Sequence, residues 1–365
     1  MLSFLATVGI VSAIAAALAG VLVFAERFIS NYGDCTVDIN AGTRTFTVKG
    51  GKALLGTLVE QKLFVPSACG GRGTCGYCKI KIPEGAGPLL PTEAPFLSAA
   101  ERAANVRLAC QVKVRNDIKI EVPSELLSVR EFTCTVERIR PLTHDIREFR
   151  FRLLDPAEIS FIAGQYVQLL APVYPKSSEE VYRAYSIASD PRDKKAIELI
   201  VRLVPGGICT TYCFEYLKEG DPVKFNGPYG EFRMADTTAP MIMIAGGSGM
   251  APIKCILQHM QNIGSTRAAC YFFGANQVGE LFEQDWMKQC EQILPHFTFV
   301  PVVARPETAW HGETGLVTQA VARAYTDLSS HEAYLCGSPG MIDACIGVLT
   351  ELGMPQQKIY YDKFA

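Results

Sequence analysis

The sequence has almost no net charge: 35 Lys and Arg against 37 Asp and Glu leave a formal −2 over 365 residues. No long-range field therefore recruits nucleic acid or an acidic partner. Internal repeats and low-complexity segments are absent as well, so the chain reads as ordinary globular domains, two or three by its length. Residues 2–25 contain no charged side chain, and no Lys or Arg precedes them. A secretory leader opens with a basic segment and has a shorter apolar run. Ala17-Leu-Ala19-Gly20 resembles a cleavage site but lacks that opening. As a helix, this run reaches ~36 Å against a ~30 Å hydrocarbon core. Residues 1–28 are therefore expected to be a single transmembrane helix. Arg27, Arg44 and Lys49 follow it, which places the soluble body on the cytoplasmic side.

A second paired-cysteine knuckle is also missing. Thirteen cysteines are present, but only Cys69, Cys75, Cys78 and Cys110 have ligand spacing, in Cys69-Gly-Gly-Arg-Gly-Thr-Cys75-Gly-Tyr-Cys78 and Arg107-Leu-Ala-Cys110. A zinc site normally shows two such pairs. Three thiolates from one loop and a fourth from a distant segment read instead as a [2Fe–2S] site, with zinc or structural thiols as the alternatives. Five residues separate the first two ligands where the plant-type pattern has four. Gly70, Gly71, Gly73 and Gly76 give the loop the freedom to wrap an inorganic core. The other nine cysteines are scattered and read as small buried hydrophobes in a reducing compartment.

Strands are expected over 35–40, 44–48, 79–82, 111–114 and 117–122, with a helix over 52–61. Together they make a small mixed α+β domain over 33–126. Short segments at 132–138, 148–153, 166–170, 196–203 and 222–226, punctuated by Gly and Pro, predict an antiparallel β-barrel over 129–236. Apolar runs at 241–245, 268–274, 297–303 and 333–336, with helices between them, predict a doubly wound α/β domain over 238–365.

Arg183-Ala-Tyr185-Ser186 offers a guanidinium for phosphate, a ring for stacking and a hydroxyl, the groups a flavin needs. Gly206-Gly207-Ile-Cys209-Thr210 opens an expected helix, whose N-terminus suits phosphate or, more simply, carries a Thr cap. Ala245-Gly246-Gly247-Ser248-Gly249-Met-Ala-Pro252 has the strand–glycine–helix layout that cradles a pyrophosphate, without the full G-x-G-x-x-G fingerprint. Cys336-Gly-Ser-Pro339 ends a later strand and would flank a nicotinamide. No Arg occurs in 274–280, where an adenosine 2′-phosphate would want one, so NADH is expected rather than NADPH.

The order of these motifs resembles the ferredoxin–NADP reductase superfamily with a plant-type ferredoxin fused at the N-terminus. Within it, the chain is similar to the F-subunit family of sodium-translocating NADH:quinone reductases. The likeness includes the apolar N-terminal segment, Leu90-Pro-Thr-Glu93, Arg107-Leu-Ala-Cys110-Gln-Val and Asp362-Lys-Phe364. The resemblance implies a β-grasp ferredoxin domain, FAD and [2Fe–2S] as cofactors, NADH as donor and integral-membrane subunits of a quinone-reductase complex as partners. It also implies residue roles. Cys69, Cys75, Cys78 and Cys110 would ligate the cluster. Arg183 would bind the FAD phosphate, Tyr185 would stack on the isoalloxazine and Ser186 would lie near N5. Gly207, Cys209 and Thr210 would line the FAD pyrophosphate, and Gly246, Gly247 and Gly249 would approach NADH. Cys336 would flank the nicotinamide, and Phe364 would cover the flavin face. The family's long insertion after the Gln165-Tyr166 strand is missing, and the turn after Cys336 reads Gly-Ser-Pro where Gly-Pro-Pro is common. Reductase modules of oxygenases share the soluble part.

Overall fold

The computed structural model describes residues 2–29, 32–306 and 309–364, with the side chains of 2–7, 22–23 and 25–29 outside the described set. Helix α1 (Leu2–Ile29) is 28 residues long. Its described side chains, among them Ile10, Val11, Ile14 and Leu18, are exposed. Among the described residues no helix is long and apolar enough to cross a membrane. Of the 28 side chains in the segment expected to cross the membrane, 13 lie outside the described set. Beyond α1, the chain forms two compact units, 71–128 with the segment before Ser67, and 129–364 with 67–70.

The first unit holds β1 (Asp34–Ile39), β2 (Arg44–Lys49), α2 (Leu54–Glu60), β3 (Lys79–Glu84), α3 (Ala99–Ala103), β4 (Val106–Leu108), β5 (Ile118–Glu121) and α4 (Ser124–Leu127). The strands form one mixed sheet in the order β2-β1-β5-β3-β4, with β1 and β5 parallel. Period-two alternation does what it predicts in β5: Ile118 and Ile120 are buried, while Lys119 and Glu121 face solvent. Leu54, Leu55 and Leu58 of α2 pack on the same core. The strand expected at 111–114 does not form. Its backbone instead serves the start of α2: Leu54 N–H donates to Val112 O at 2.8 Å and Val114 N–H donates to Lys52 O at 3.0 Å.

The second unit begins with β6 (Arg130–Pro141), β7 (Ile146–Asp155), β8 (Tyr166–Ala171), β9 (Val181–Ser186) and β10 (Ala196–Arg202). The four-residue α5 (Ile208–Thr211), a π segment (Tyr212–Tyr216) and β11 (Pro222–Tyr229) complete this lobe. All pairs are antiparallel in the order β10-β7-β6-β11-β8-β9. A bridge between Ile187 and Leu199 brings the two edges together, closing the barrel. Gly227-Pro-Tyr229 closes β11.

A parallel sheet follows, of β12 (Met241–Gly246), β13 (Ala269–Ala275), β14 (Phe297–Val303), β15 (Glu313–Thr314), β16 (Glu332–Gly337) and β17 (Ile359–Lys363), ordered β15-β14-β13-β12-β16-β17. Helices α6 (Met250–Asn262), α7 (Gln284–Ile293), α8 (Val317–Ala324) and α9 (Pro339–Glu351) connect its strands. In β12, Met241, Met243 and Ala245 join one core while Ile242 and Ile244 join another. Both faces are buried, which is why the run reads as continuously apolar rather than alternating. The first of these cores is shared with the barrel, since Phe149, Val167 and Ile197 belong to it along with Ile253 and Ile256 of α6.

Candidate functional site

The expected flavin residues lie on β9, a strand absent from the segments expected from sequence. Arg183 and Tyr185 stand two residues apart and so share one face of the strand. Burial raises Tyr185 well above the usual phenol range, with the nearby Cys209 thiol adding to it. A hydrogen bond with Cys213, opposed by burial and helped by Tyr185, lowers Cys209. The structure thus brings Arg183, Tyr185 and the 207–210 turn together. Gly207 is the N-cap of α5, and a Cβ there would stand 2.7 Å from Thr210 Oγ1. The Thr210 hydroxyl does not cap the helix. It donates to Val204 O at 3.1 Å and accepts from Val204 N–H at 3.2 Å, stapling the turn to the end of the preceding strand. An arginine, an aromatic face and a tight glycine turn on one side of a barrel are a donor set that fits a flavin nucleotide.

Ser186 closes β9 and is buried. Its hydroxyl donates to Asp362 Oδ2 at 3.3 Å. Asp362 sits on β17 in register with Cys336 on β16. Burial raises the Asp362 carboxyl, opposed by the Ser186 hydroxyl. Burial also pushes the Cys336 thiol well up, with Asp362 adding to it. A barrel strand and two parallel strands therefore converge at one point. Sequence reasoning named Ser186 and Cys336 but gave Asp362 no role. No local signal marks it, because the hydrogen bond spans 176 positions. Phe364 follows, half-buried against the shared core, with its N–H donating to Gly337 O at 2.9 Å.

The glycine motif after β12 forms a short 3-10 turn, Gly247–Gly249, leading into α6. Gly247 has φ +55°. A Cβ at Gly249 would lie 2.3 Å from Cys336 O, so only glycine lets α6 start this close to β16. The α6 N-terminus has no side-chain cap, and although Met250 N–H donates back into the turn to Gly247 O, the positive end of the helix faces the site an anion would take. A cleft of about 370 Å³ opens at the carboxyl ends of the strands, lined by Gly246, Gly247, Asn276, Glu280 and Ser338 and, from the barrel, Asp145 and Arg202. This is where doubly wound sheets take nucleotides.

In the first unit, Cys78 is buried and Cys75 and Cys110 are half-buried. The hydrogen bond with Cys110, burial and the nearness of Cys75 raise the Cys78 thiol far above its ordinary range. Thiols that oppose one another's ionisation are what a cationic iron core relieves. Cys69 is buried in the 67–70 segment of the second unit. Gly71, Gly73 and Gly76 all have positive φ, and a Cβ at Gly76 would stand 2.8 Å from the Phe96 ring. Among the described residues no three His, Cys, Asp or Glu side chains gather as a single metal ion would need. A binuclear cluster requires less, because its four ligands are divided between two irons. The donor set fits.

Behind these residues stands an ion pair that sequence reading did not assign. Arg107 and Glu93 meet at 2.5 Å with Glu93 fully buried. Arg107 also donates to Gly87 O at 2.8 Å and Pro88 O at 2.9 Å, and Glu93 accepts from the N–H groups of Leu90 and Leu108. This gives Leu90-Pro-Thr-Glu93 a physical purpose: it pins the 86–93 loop to the strand that leads into Cys110.

Three families match successive parts of the chain: the 2Fe-2S iron-sulfur cluster binding domain at 37–115, the oxidoreductase FAD-binding domain at 133–234 and the oxidoreductase NAD-binding domain at 243–346. The cofactors are accordingly a [2Fe–2S] cluster, FAD and NADH. Among solved structures the chain is similar to a cytochrome P450 reductase of Amycolatopsis (29% identity, TM-score 0.72, covering 90% of this chain and 98% of that one). It is also similar to the ferredoxin reductase in carbazole 1,9a-dioxygenase (26%, TM-score 0.70, 91% and 99%). The F subunit of the Na(+)-translocating NADH-quinone reductase of Neisseria meningitidis is 34% identical over 95% of this chain and 96% of its own. The same protein of Actinobacillus succinogenes is 33% identical over 99% of each. With nearly full-length identity above 30% and all three cofactor domains in order, the chain belongs to the family of Na(+)-translocating NADH-quinone reductase F subunits.

Proposed function

We propose that this chain is the NADH-oxidising subunit of a membrane quinone-reductase complex, held at the inner membrane by α1 with its soluble units on the cytoplasmic side. When bound, NADH and FAD supply two-electron chemistry and the cluster accepts electrons singly. The observation that carries this reading is the meeting of Ser186 with Asp362, beside Cys336, at the carboxyl edge of the parallel sheet. Ser186 orients donors at the flavin edge. The Asp362 carboxyl, raised by burial, accepts from the Ser186 hydroxyl and holds it in place, and Phe364 shields that edge from water. Arg183 and the 207–210 turn hold the FAD phosphates, with Tyr185 against the ring. Gly246, Gly247 and Gly249 admit the NADH pyrophosphate. Cys69, Cys75, Cys78 and Cys110 hold the cluster. Integral-membrane subunits receive the electrons, and tethering by α1 raises their effective concentration.

Anaerobic titration of detergent-purified protein with NADH is expected to bleach the flavin and to raise a rhombic [2Fe–2S] EPR signal. Cys75→Ala is expected to remove the EPR signal and keep the bleaching. A cluster reducible by dithionite but silent to NADH would overturn the proposed electron path.

Glu280 supports NADH as donor. It lines the cleft at the end of β13 and accepts from Asn276 N–H at 3.0 Å and Asn276 Nδ2 at 3.2 Å. A carboxylate there accepts from a ribose hydroxyl and repels a 2′-phosphate. Glu280→Arg should narrow the preference for NADH over NADPH in kcat/KM by at least ~10-fold, about 1.4 kcal/mol. An unchanged ratio would remove Glu280 from the donor site.

A second reading, a membrane-tethered reductase feeding an oxygenase or another metalloenzyme, is favoured by the two oxygenase-type solved structures and by the missing insertion. Quinone-dependent NADH oxidation with co-purifying polytopic subunits separates the two.

A further inference from the structure

We propose that Gln111 is a tuning residue for the iron–sulfur cluster: its side-chain amide donates to the ligating sulfur of Cys110 and raises the cluster's reduction potential. This rests on the reading of Cys110 as a cluster ligand. Gln111 Nε2 donates to Cys110 Sγ at 3.5 Å, a length set by the size of sulfur. An amide can present either its donor or its acceptor end, so something must choose. Thr92 Oγ1 donates to Gln111 Oε1 at 2.9 Å, which turns the NH₂ end towards the sulfur. Thr92 is itself placed by its neighbour, since Glu93 is clamped to Arg107 and accepts from Leu108 N–H at 3.0 Å. On its other side the amide is roofed by backbone: a Cβ at Gly73 would stand 2.6 Å from Gln111 Nε2. Gly73 thus leaves the space this amide occupies, which a side chain at 73 would take.

The chemistry follows from charge. Reduction adds one electron to the cluster, much of whose negative charge rests on its sulfurs. A donor aimed at a thiolate stabilises the reduced state more than the oxidised one. Hydrogen bonds to the sulfurs are among the protein's levers on such potentials, and partners behind a ligand commonly tune the metal.

The test is an EPR-monitored redox titration of the full-length holoenzyme and three variants. Gln111→Leu is expected to lower the ratio of reduced to oxidised cluster at a fixed potential about tenfold, or about 59 mV for one electron. Gln111→Glu keeps the size and the acceptor for Thr92 but aims no donor at the sulfur, so it should shift the potential in the same direction and further. Thr92→Val, which only frees the amide, should shift it less. A packing role predicts the opposite ranking, with Gln111→Glu close to wild type. If Gln111→Leu fails to assemble a cluster, the other two variants decide. Wild-type potentials in Gln111→Glu and Thr92→Val, with intact spectra, overturn the proposal. A wild-type protein without a [2Fe–2S] signal overturns instead the ligand reading on which it rests.

Discussion

Gly249→Ala is expected to cut kcat/KM for NADH about a hundredfold while FAD occupancy and the dithionite-reduced cluster signal stay at wild-type levels. The added methyl would sit 2.3 Å from Cys336 O and 2.8 Å from its carbonyl carbon. Neither neighbour is the tip of a flexible side chain. Both are backbone atoms of an interior strand, and Gly249 leads straight into the buried helix α6, so the α6 start must move away from β16. That displaces the helix start proposed to receive the pyrophosphate and opens the gap beside Cys336 together. Misplacement by about 1 Å is enough for a ~10²-fold loss, and overpacking of this kind costs about 1–3 kcal/mol of stability. Gly347→Ala is the control: it lies in α9, and a Cβ there meets nothing within 4 Å. It should leave kinetics unchanged and, if anything, stabilise the helix. Wild-type NADH kinetics in Gly249→Ala would show that close approach is not what the site needs. Flavin lost together with activity would point to unfolding instead.

Lys254→Met should have the largest effect on stability. Lys254 is buried on α6, with Nζ 2.7 Å from Glu148, 3.4 Å from Glu283 and 3.5 Å from Glu198. Glu148, only 1% exposed, also meets Arg140 at 3.0 Å and Arg138 at 3.1 Å. Arg140 pairs in turn with Glu283. The network joins β6, β7 and β10 of the barrel to α6 and the segment before α7, so it fixes the nucleotide lobe against the flavin lobe. Removing one member of a buried ion cluster leaves charge uncompensated, typically at ~3–5 kcal/mol. For a unit of this size, that lowers the melting temperature by roughly 6–20 °C. Lys254→Arg should recover most of the loss.

The same network predicts acid sensitivity. Burial alone would raise Glu148, but Arg140 and Lys254 outweigh it and hold its carboxyl at about 2, below the ordinary 4.5. A carboxyl depressed by folding stabilises fully above its unfolded pKa, and that contribution fades as pH falls from about 4.5 to about 2. In Lys254→Met this part of the acid transition should shrink, because the depression it draws on is smaller. An unchanged melting temperature and acid limb would mean the cluster is neutral on balance.

The parallel sheet was the most legible part of the fold. The strand expected over 297–303 is β14 residue for residue, and β12, buried along nearly its whole length, was marked by its continuous apolar run. The barrel was read less well. β9 escaped notice because Tyr182, Arg183, Ala184 and Tyr185 are all half-buried, so no alternation remains where a strand carries a binding face. β17 was missed for a similar reason, as an edge strand whose Tyr360, Asp362 and Lys363 are neither clearly in nor clearly out. At the site, residue types with unusual local patterns were visible: the cysteines, the glycine turn and Arg183-Ala-Tyr-Ser186. Asp362, Lys254 and Gln111 were not, since each matters through a partner that only the folded chain brings near.

The shared core of barrel and parallel sheet limits how such enzymes can be recombined. Chimeras that exchange the flavin lobe alone, or the nucleotide lobe alone, would cut through one continuous apolar interior and through the Lys254–Glu148 pair inside it. Functional exchange is therefore expected to move the flavin and nucleotide lobes together, 129–364 as one block.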